Sequence, residues 1–200
     1  MRAYLTLAVL FFLPTVPTLA AAEEKPEAKH AQTEHFEFEY GAEFEHESKD
    51  SPHGKIHLLR FNGPQPKEGQ IPKSVQITVV EMTPLNRIRE ENPKKNPSEL
   101  AIGALGGIVL SHRDKLKQLG ALLAVSDVST VVLRHLNGAT QEIHMNMFKA
   151  AGMEQYSDYY VLTDGKNFLH IQGIYFPKHG AESQKRIDLV LESARTREED

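Results

Sequence analysis

Residues 96–120, NPSELAIGALGGIVLSHRDKLKQLG, are the stretch that decides the fold of this chain. Asn96 is a favourable N-cap, Pro97 suits the first helical position, and Glu99 stands at the spacing of a capping box. Gly120 follows a lysine-rich last turn and can adopt the left-handed conformation that ends many helices. These signals predict one long amphipathic helix.

The apolar residues of this helix fall on one stripe, which suits packing against a sheet. We expect Ile108 to be buried in that stripe, so that Ile108→Asp would unfold the domain. His112 lies near the centre of the stripe and is either a pH-sensitive or ligand-binding group, or a core histidine bonded to a backbone carbonyl. We favour the second interpretation because buried polar groups are normally paired. The stripe comprises Ala101, Ile102, Leu105, Ile108, Val109, Leu116 and Leu119.

A second apolar face lies opposite the stripe and contains Leu100, Gly103, Gly107 and Leu110. The first three turns are therefore apolar all round, which predicts cover on both sides. Cover by a loop or neighbouring element of the same chain is the ordinary explanation. The alternative is a docking surface for a partner or a second copy, and Gly107→Leu would leave the fold intact only if the face is external.

The segments before the helix are predicted to be β-strands. Aromatic residues alternate with glutamates in 35–47, and further strands are predicted at 55–61 and 74–82. Residues 83–96 are expected to form a long charged loop, one of two loops where a site could lie.

The segments after the helix predict two hairpins and a second helix. Asn137-Gly138 and Asp164-Gly165 stand between β-rich runs and are strong turn signals. A C-terminal helix follows, and its periodicity predicts one buried stripe. That stripe comprises Ser183, Ile187, Val190, Leu191 and Ala194.

This order of elements predicts an α+β fold, with an antiparallel sheet of about seven strands packed by a long central helix and a C-terminal helix. The element order and the closing segment YYVLTDGKNFLHIQGIYFPKHGAESQKRIDLVLESA resemble the PsbP/Mog1-like α/β/α sandwich group, which includes DcrB-like exported bacterial proteins. The resemblance implies a non-catalytic role in binding a protein or a small partner. It carries over no individual site residue.

The N-terminus has the pattern of a signal peptide over residues 1–22, with Arg2, an apolar run, and small residues at the end. We expect cleavage after Ala20 or Ala22 and export to the periplasm or the medium, with no stable membrane anchor afterwards. Residues 23–34 are expected to form a flexible leader, 35–197 a single domain, and 198–200 a frayed tail.

The composition excludes several functional classes. The formal net charge is −4 and no basic cluster stands out, which argues against nucleic acid as a partner. Cysteine is absent from the sequence, which rules out disulfides, thiolate metal sites and cysteine nucleophiles. We expect no cofactor.

Metal-binding and catalytic motifs are weak. Alternate residues of the acidic strand lie ~6–7 Å apart, so they do not converge on a metal, and no metal site is predicted. His144 and His170 would face one another only if their strands pair. The acidic-strand candidates are His35, Glu37, Glu39, Glu43, Glu45, His46 and Glu47.

Hydrolase and phosphate-loop patterns are missing from the sequence. Ser126-Asp127 and Ser111-His112 lack both a Gly-x-Ser-x-Gly motif and a third group to orient a base. The glycines of 103–107 lie inside the helix, whereas a phosphate loop precedes one.

The sequence therefore predicts an exported, non-catalytic domain that binds a protein or small ligand at the cell envelope. The alternative is a hydrolase-type enzyme whose site is assembled from loops. A deep polar pocket with several perturbed ionisable groups would favour the enzyme, and an exposed apolar surface would favour the binding domain.

Overall fold

The computed structural model of the chain describes residues 27–52, 54–67, 70–148 and 153–197. The predicted signal peptide at 1–22 and the predicted tail at 198–200 lie outside these residues. The described part is an α+β fold built on a large antiparallel sheet, as the sequence predicts. No helix within it is long and apolar enough to cross a bilayer.

The strands form two sheets. The main sheet has the order β3-β4-β5-β10-β9-β8-β6, with β7 also paired to β8, and the small sheet has the order β1-β2-β11. The strands are β1 (Ala28–Gln32), β2 (Phe36–Gly41), β3 (Glu45–Ser51), β4 (Gly54–Asn62), β5 (Ser74–Glu81), β6 (Leu122–Val125), β7 (Ser129–Val132), β8 (Asn137–Met145), β9 (Gln155–Thr163), β10 (Phe168–Tyr175) and β11 (Arg195–Thr196). The helices are α1 (Thr83–Glu91), α2 (Pro97–Gln118) and α3 (Gly180–Ser193), the last preceded by a 3₁₀ turn at Pro177–His179.

The two faces of the main sheet carry separate cores because side chains alternate along each strand. The small sheet and α3 cover one face, which we call the α3 face, where Ile77 and Ile171 are buried. Helix α2 covers part of the other, which we call the α2 face, where Tyr159 and Val161 are buried.

The long helix begins and ends where the sequence predicts. Asn96 accepts a hydrogen bond from the Ser98 amide at 2.9 Å, and Gly120 has a φ of +65°. The helix packs on strands β8, β9 and β6, but the buried stripe is narrower than expected, because Ile102 and Leu119 are exposed. Ile108 is half-buried, so the prediction that it is a core residue is wrong. The fully buried residues are Ala101, Leu105, Val109 and Leu116.

The C-terminal helix also follows the prediction. All five residues of its predicted stripe are buried. Its Ile187 packs directly on the backbone of Gly173 in β10, where an added Cβ would lie 2.5 Å from the Ile187 Cδ1 atom. The missing side chain at this position lets α3 approach the sheet closely.

Two segments that the sequence predicts to be irregular are ordered elements. The expected loop at 83–96 begins with helix α1, where the Asn86 side chain accepts from the Phe168 amide at 2.7 Å and donates to Glu81 at 3.0 Å. The expected leader at 23–34 contains strand β1, which pairs with β2 along its whole length. Helix α1 is stabilised by a partner distant in sequence, whereas β1 pairs with the adjacent strand β2.

The two predicted hairpins exist, but one turn lies elsewhere. Gly165 has a φ of +100° in the β9–β10 turn, as predicted. The β7–β8 turn is formed by 133–136, with the Leu133 amide bonded to the Leu136 carbonyl at 2.8 Å, so the predicted turn at Asn137-Gly138 is wrong. Gly138 lies within β8, where an added Cβ would lie 2.0 Å from the Val161 carbonyl oxygen. A glycine at this position therefore allows β8 and β9 to pack closely.

The predicted strand at 35–47 is divided between the two sheets. A turn at 42–44 separates β2, in the small sheet, from β3, at the edge of the main sheet. Strand β3 is almost entirely exposed and charged, which is a common way of protecting a sheet edge from aggregation.

Candidate functional site: the open half of the main sheet

Half of the α2 face is not covered by the long helix. Helix α2 lies over β8, β9 and β6, whereas β4, β5 and β10 present half-buried side chains, and β3 exposed ones, on the same face. A shallow cavity of about 260 Å³ lies across β3, β4 and β5. It is lined by Glu47, Lys49, Ile56, Leu58, Arg60, Gln76 and Thr78.

An apolar pocket of about 310 Å³ lies at the end of this open half, between α1 and strands β5 and β10. Helix α1 is held there because Leu85 packs into the core and Asn86 bonds to Phe168. Ile88 of the same helix is 40% exposed. The lining comprises Val80, Met82, Pro84, Leu85, Ile88 and His170. This volume is at the lower end for small-molecule sites.

His170 is the only polar side chain in that lining. Its Nε2 atom is buried and has no hydrogen-bond partner in the part of the chain that the structure describes. Burial lowers the pKa of His170 to about 4, so the imidazole is neutral at pH 7. The ring stacks on Tyr159 with centroids 6.2 Å apart. A neutral imidazole with an unused nitrogen can accept or donate one hydrogen bond to a ligand.

A polar network lies behind His170 under helix α2. The Gln172 amide donates to the Tyr159 hydroxyl at 3.1 Å and to the Ser157 hydroxyl at 2.9 Å. The His112 Nδ1 atom also contacts the Tyr159 hydroxyl. Burial raises the pKa of Tyr159 to about 12, whereas burial and Lys115 lower the pKa of His112.

His112 is therefore partly buried and satisfied, but its partner differs from the prediction. The prediction of a backbone carbonyl is wrong, because the helix places the ring opposite a tyrosine of β9. His144 and His170 do not meet either. Their strands β8 and β10 flank β9 on opposite sides, and their side chains point to opposite faces of the sheet.

A second polar cluster, which sequence reasoning missed, joins the two sheets. The His57 Nε2 atom lies 3.1 Å from the Gln32 carbonyl, so this nitrogen donates. Its Nδ1 atom then accepts from His46 at 2.9 Å, and His46 accepts from the Tyr40 hydroxyl at 3.1 Å. Burial, with His46 and Lys55 nearby, lowers the pKa of His57 to about 4. The sequence signal that could have identified His57 is the alternation of β4, which places this residue on the inward-facing side of the strand.

A third cluster, also missed, lies on the α3 face. Asp158 is 6% exposed and stands opposite Glu142 on the neighbouring strand. Burial and the Glu142 charge raise the pKa of Asp158 to about 7. Its Oδ1 atom has no hydrogen-bond partner among the described residues. The alternation of Asp158 with Tyr160 and Leu162 indicates that it faces inward, but does not indicate which residue lies beside it.

The residues of the acidic strand are spread over both sheets, as their spacing suggests. Near them, the side chains of three acidic or histidine residues come together. Oxygen and nitrogen atoms of Glu34, His35 and Glu81 lie within 4.8 Å of one another. Burial alone would raise the pKa of Glu81, but hydrogen bonds from Thr33 and His35 outweigh it and lower the pKa. Because Asn86 also donates to this carboxylate, its oxygens are already used in tying β2, β5 and α1 together.

The face opposite the α2 stripe is open around its glycines. No residue that the structure describes lies close enough to touch them. An added Cβ at Gly103 or Gly107 would meet nothing within 4 Å. Leu110 is 47% exposed and Leu100 is half-buried. Cover by a described neighbouring element is therefore wrong, and Gly107→Leu is expected to leave the fold intact.

Comparison with known proteins assigns no family. No protein-family model matches the chain, and no curated protein matches it. The chain is similar to a solved structure from Bacteroides thetaiotaomicron at 13% identity, with a TM-score of 0.43. The match covers 82% of this chain and 46% of that one, so the chain spans about half of its length.

Proposed function

We propose that the chain is an exported, non-catalytic binding domain that takes a small, mainly apolar ligand in the pocket beneath α1. The observation that carries this proposal is the apolar lining of the pocket, to which His170, with its unpartnered Nε2 atom, contributes the one polar side chain. Such a pocket binds an aliphatic or aromatic group by burial of apolar surface and orients it through one hydrogen bond. The ligand would thus carry a single hydroxyl or carbonyl.

The surroundings of the pocket support binding over catalysis. His57 and Asp158, whose pKa values are shifted, lie on the α3 face. Tyr159 and His112, whose pKa values are also shifted, are hydrogen-bonded in the network under α2 and are not part of the pocket lining. The pocket itself offers one imidazole and apolar carbon, which lacks the second acid or base that proton transfer usually needs. The resemblance to the PsbP/Mog1-like group agrees with a binding role.

The test compares 1-naphthol with naphthalene as probes, followed by NMR chemical shifts. We expect both to shift residues of α1, β5 and β10, with 1-naphthol binding more tightly through its hydroxyl. His170→Phe should remove the preference for 1-naphthol, and Ile88→Asp should weaken both probes at least tenfold. Ile102→Asp is the matched control, since Ile102 is also 40% exposed but lies on α2. Equal effects of the two aspartates would refute the site.

Export is a separate part of the proposal and rests on residues 1–22 of the sequence. Expression with an intact N-terminus, followed by mass spectrometry of the exported fraction, should find a mature chain beginning at Ala21 or Glu23. An uncleaved chain retained in the cytoplasm would contradict export and would leave the pocket proposal unaffected.

One observation favours a hydrolase-type enzyme as the second candidate. Asp158 with its raised pKa, facing Glu142, is an arrangement that can both hold and release a proton near pH 7. Hydrolysis of aryl ester or aryl glycoside probes that persists in Ile88→Asp but disappears in Asp158→Asn would support this candidate. It would also overturn the binding-domain proposal.

A further inference from the structure

A second cavity of about 630 Å³ lies where the small sheet meets the β7–β8 turn. Its polar lining is dominated by cationic side chains. Three guanidinium groups and one imidazole face a single carboxylate, in a chain whose formal net charge is −4. The lining comprises Gln32, Glu37, Arg134, His135, Arg195, Thr196 and Arg197.

Two of the arginines are held in place by the fold. Arg195 lies opposite Glu37 in the small sheet, and its Nε atom donates to the Glu37 carboxylate at 2.5 Å. Arg197 is fixed by its own amide, which donates to the His35 carbonyl at 2.9 Å. Its Nη1 atom donates to two carbonyls of the loop between β1 and β2, that of Glu34 at 3.2 Å and that of Thr33 at 3.3 Å. Each guanidinium keeps further N–H donors unused.

The third arginine has no partner among the residues that the structure describes. Arg134 stands at the tip of the β7–β8 turn, which is anchored because the neighbouring Leu136 is buried in the core. It makes no hydrogen bond or ion pair with any residue that the structure describes. The adjacent His135 adds another ring nitrogen at the rim. The cavity thus combines two positioned guanidiniums with one that is free to close on a ligand.

We infer that this cavity is a binding site for a multiply charged oxyanion, an organic phosphate or a polycarboxylate. Guanidinium groups recognise both through paired, charge-assisted hydrogen bonds. Glu37 neutralises one arginine, so the site retains an excess of positive charge that a doubly or triply charged anion would match. The volume exceeds what a single phosphate needs, which favours a larger anion.

Calorimetric titration with pyrophosphate and with citrate at low salt tests the inference and separates the two sources. Because the sequence continues with Glu198, Glu199 and Asp200, the titrations include a variant with these three residues changed to amides. We expect saturable binding of at least one probe in the full chain or in this variant. Arg134→Gln in the same background should weaken it about tenfold, and 200 mM salt should weaken it further.

Arg87→Gln is the matched control, since Arg87 is an exposed arginine of α1 without a partner among the described residues. The control should bind as tightly as its parent. Absence of binding in both backgrounds, or equal weakening by Arg87→Gln and Arg134→Gln, would overturn the inference. Binding of 1-naphthol should be unchanged in Arg134→Gln, so failure here is distinguishable from failure of the proposed function.

Discussion

Asp158 is a carboxyl group whose burial has a measurable effect on stability. Its pKa is about 7 in the folded protein and 3.8 in the reference state, so the folded form binds a proton more tightly than the unfolded form. A raised folded pKa contributes stability that is complete below pH 3.8 and is lost as the pH rises to 7. Asp158→Asn should therefore stabilise the protein at pH 8, by up to about 4 kcal/mol.

The measurement is the free energy of unfolding in urea at pH 4 and at pH 8, for the parent and for Asp158→Asn. The gain should be near zero at pH 4 and largest at pH 8. Asp114→Asn, an exposed residue of α2, provides the control and should show no such difference. A gain of the same size at both values would mean that the carboxyl is ionised throughout.

Residue-level prediction from the sequence succeeded where periodicity alone decides burial. Ser183 is polar but lies on the α3 stripe, and it is buried as predicted. His57 and Asp158 were missed, because alternation assigns a residue to a face but does not say which strand lies beside it. The partners of these two residues are 25 and 16 positions away in sequence.

At the scale of the helix, burial should separate two aspartate substitutions one turn apart. Leu105 is fully buried between α2 and the sheet, so Leu105→Asp places an unpaired carboxylate in the core and should unfold the domain. Ile108 is half-buried, so Ile108→Asp should cost only about 1–2 kcal/mol. Thermal melting followed by circular dichroism measures both, and equal losses would contradict the observed rotation of the helix.

Glycines in two elements should respond with opposite signs to alanine. Gly107 lies in the middle of α2 with open space around it, so Gly107→Ala should stabilise the protein by about 0.5–1 kcal/mol. Gly138→Ala should be strongly destabilising, because its Cβ would overlap the Val161 carbonyl. Urea unfolding compares them, and a loss of stability in Gly107→Ala would indicate that this helix face is covered after all.

Elements were predictable where their signals are local. The N-cap at Asn96 and the terminal Gly120 set the ends of α2 from residues within one turn. The Asn137-Gly138 pair gave the wrong turn, because the glycine is required by close approach of β9. Helix α1 was missed because a side-chain bond from Asn86 to a distant strand stabilises it.

At the scale of the whole molecule, the sequence predicts a sheet with helices but does not predict the division into two sheets. The turn at 42–44 sends β2 and β3 to different sheets, and nothing in the local alternation marks this. Of the two candidate binding sites, only the arginine cavity follows from that division. The α1 pocket lies on the part of the main sheet that α2 leaves open, and the arginine cavity lies where the small sheet meets a turn of the main sheet.

The hydrogen-bonded histidines between the two sheets should make the free energy of unfolding depend on pH. The pKa of His57 is 6.5 in the reference state and about 4 in the folded protein, so the folded state disfavours the proton. Its contribution is complete above pH 6.5 and is lost as the pH falls to 4, which amounts to about 3 kcal/mol. His57→Phe keeps the contact with Phe38 but removes this dependence.

We therefore expect His57→Phe to be less stable than the parent at pH 7.5, where it leaves the Gln32 carbonyl without its donor, and to approach the parent at pH 4.5. Urea unfolding at the two values gives this difference directly. The contributions of Asp158 and His170 are present in both proteins and cancel in the comparison. A loss of stability in His57→Phe that is the same at both pH values would mean that the histidines only bridge the sheets. Protonation of His57 would then not be linked to the packing of the sheets.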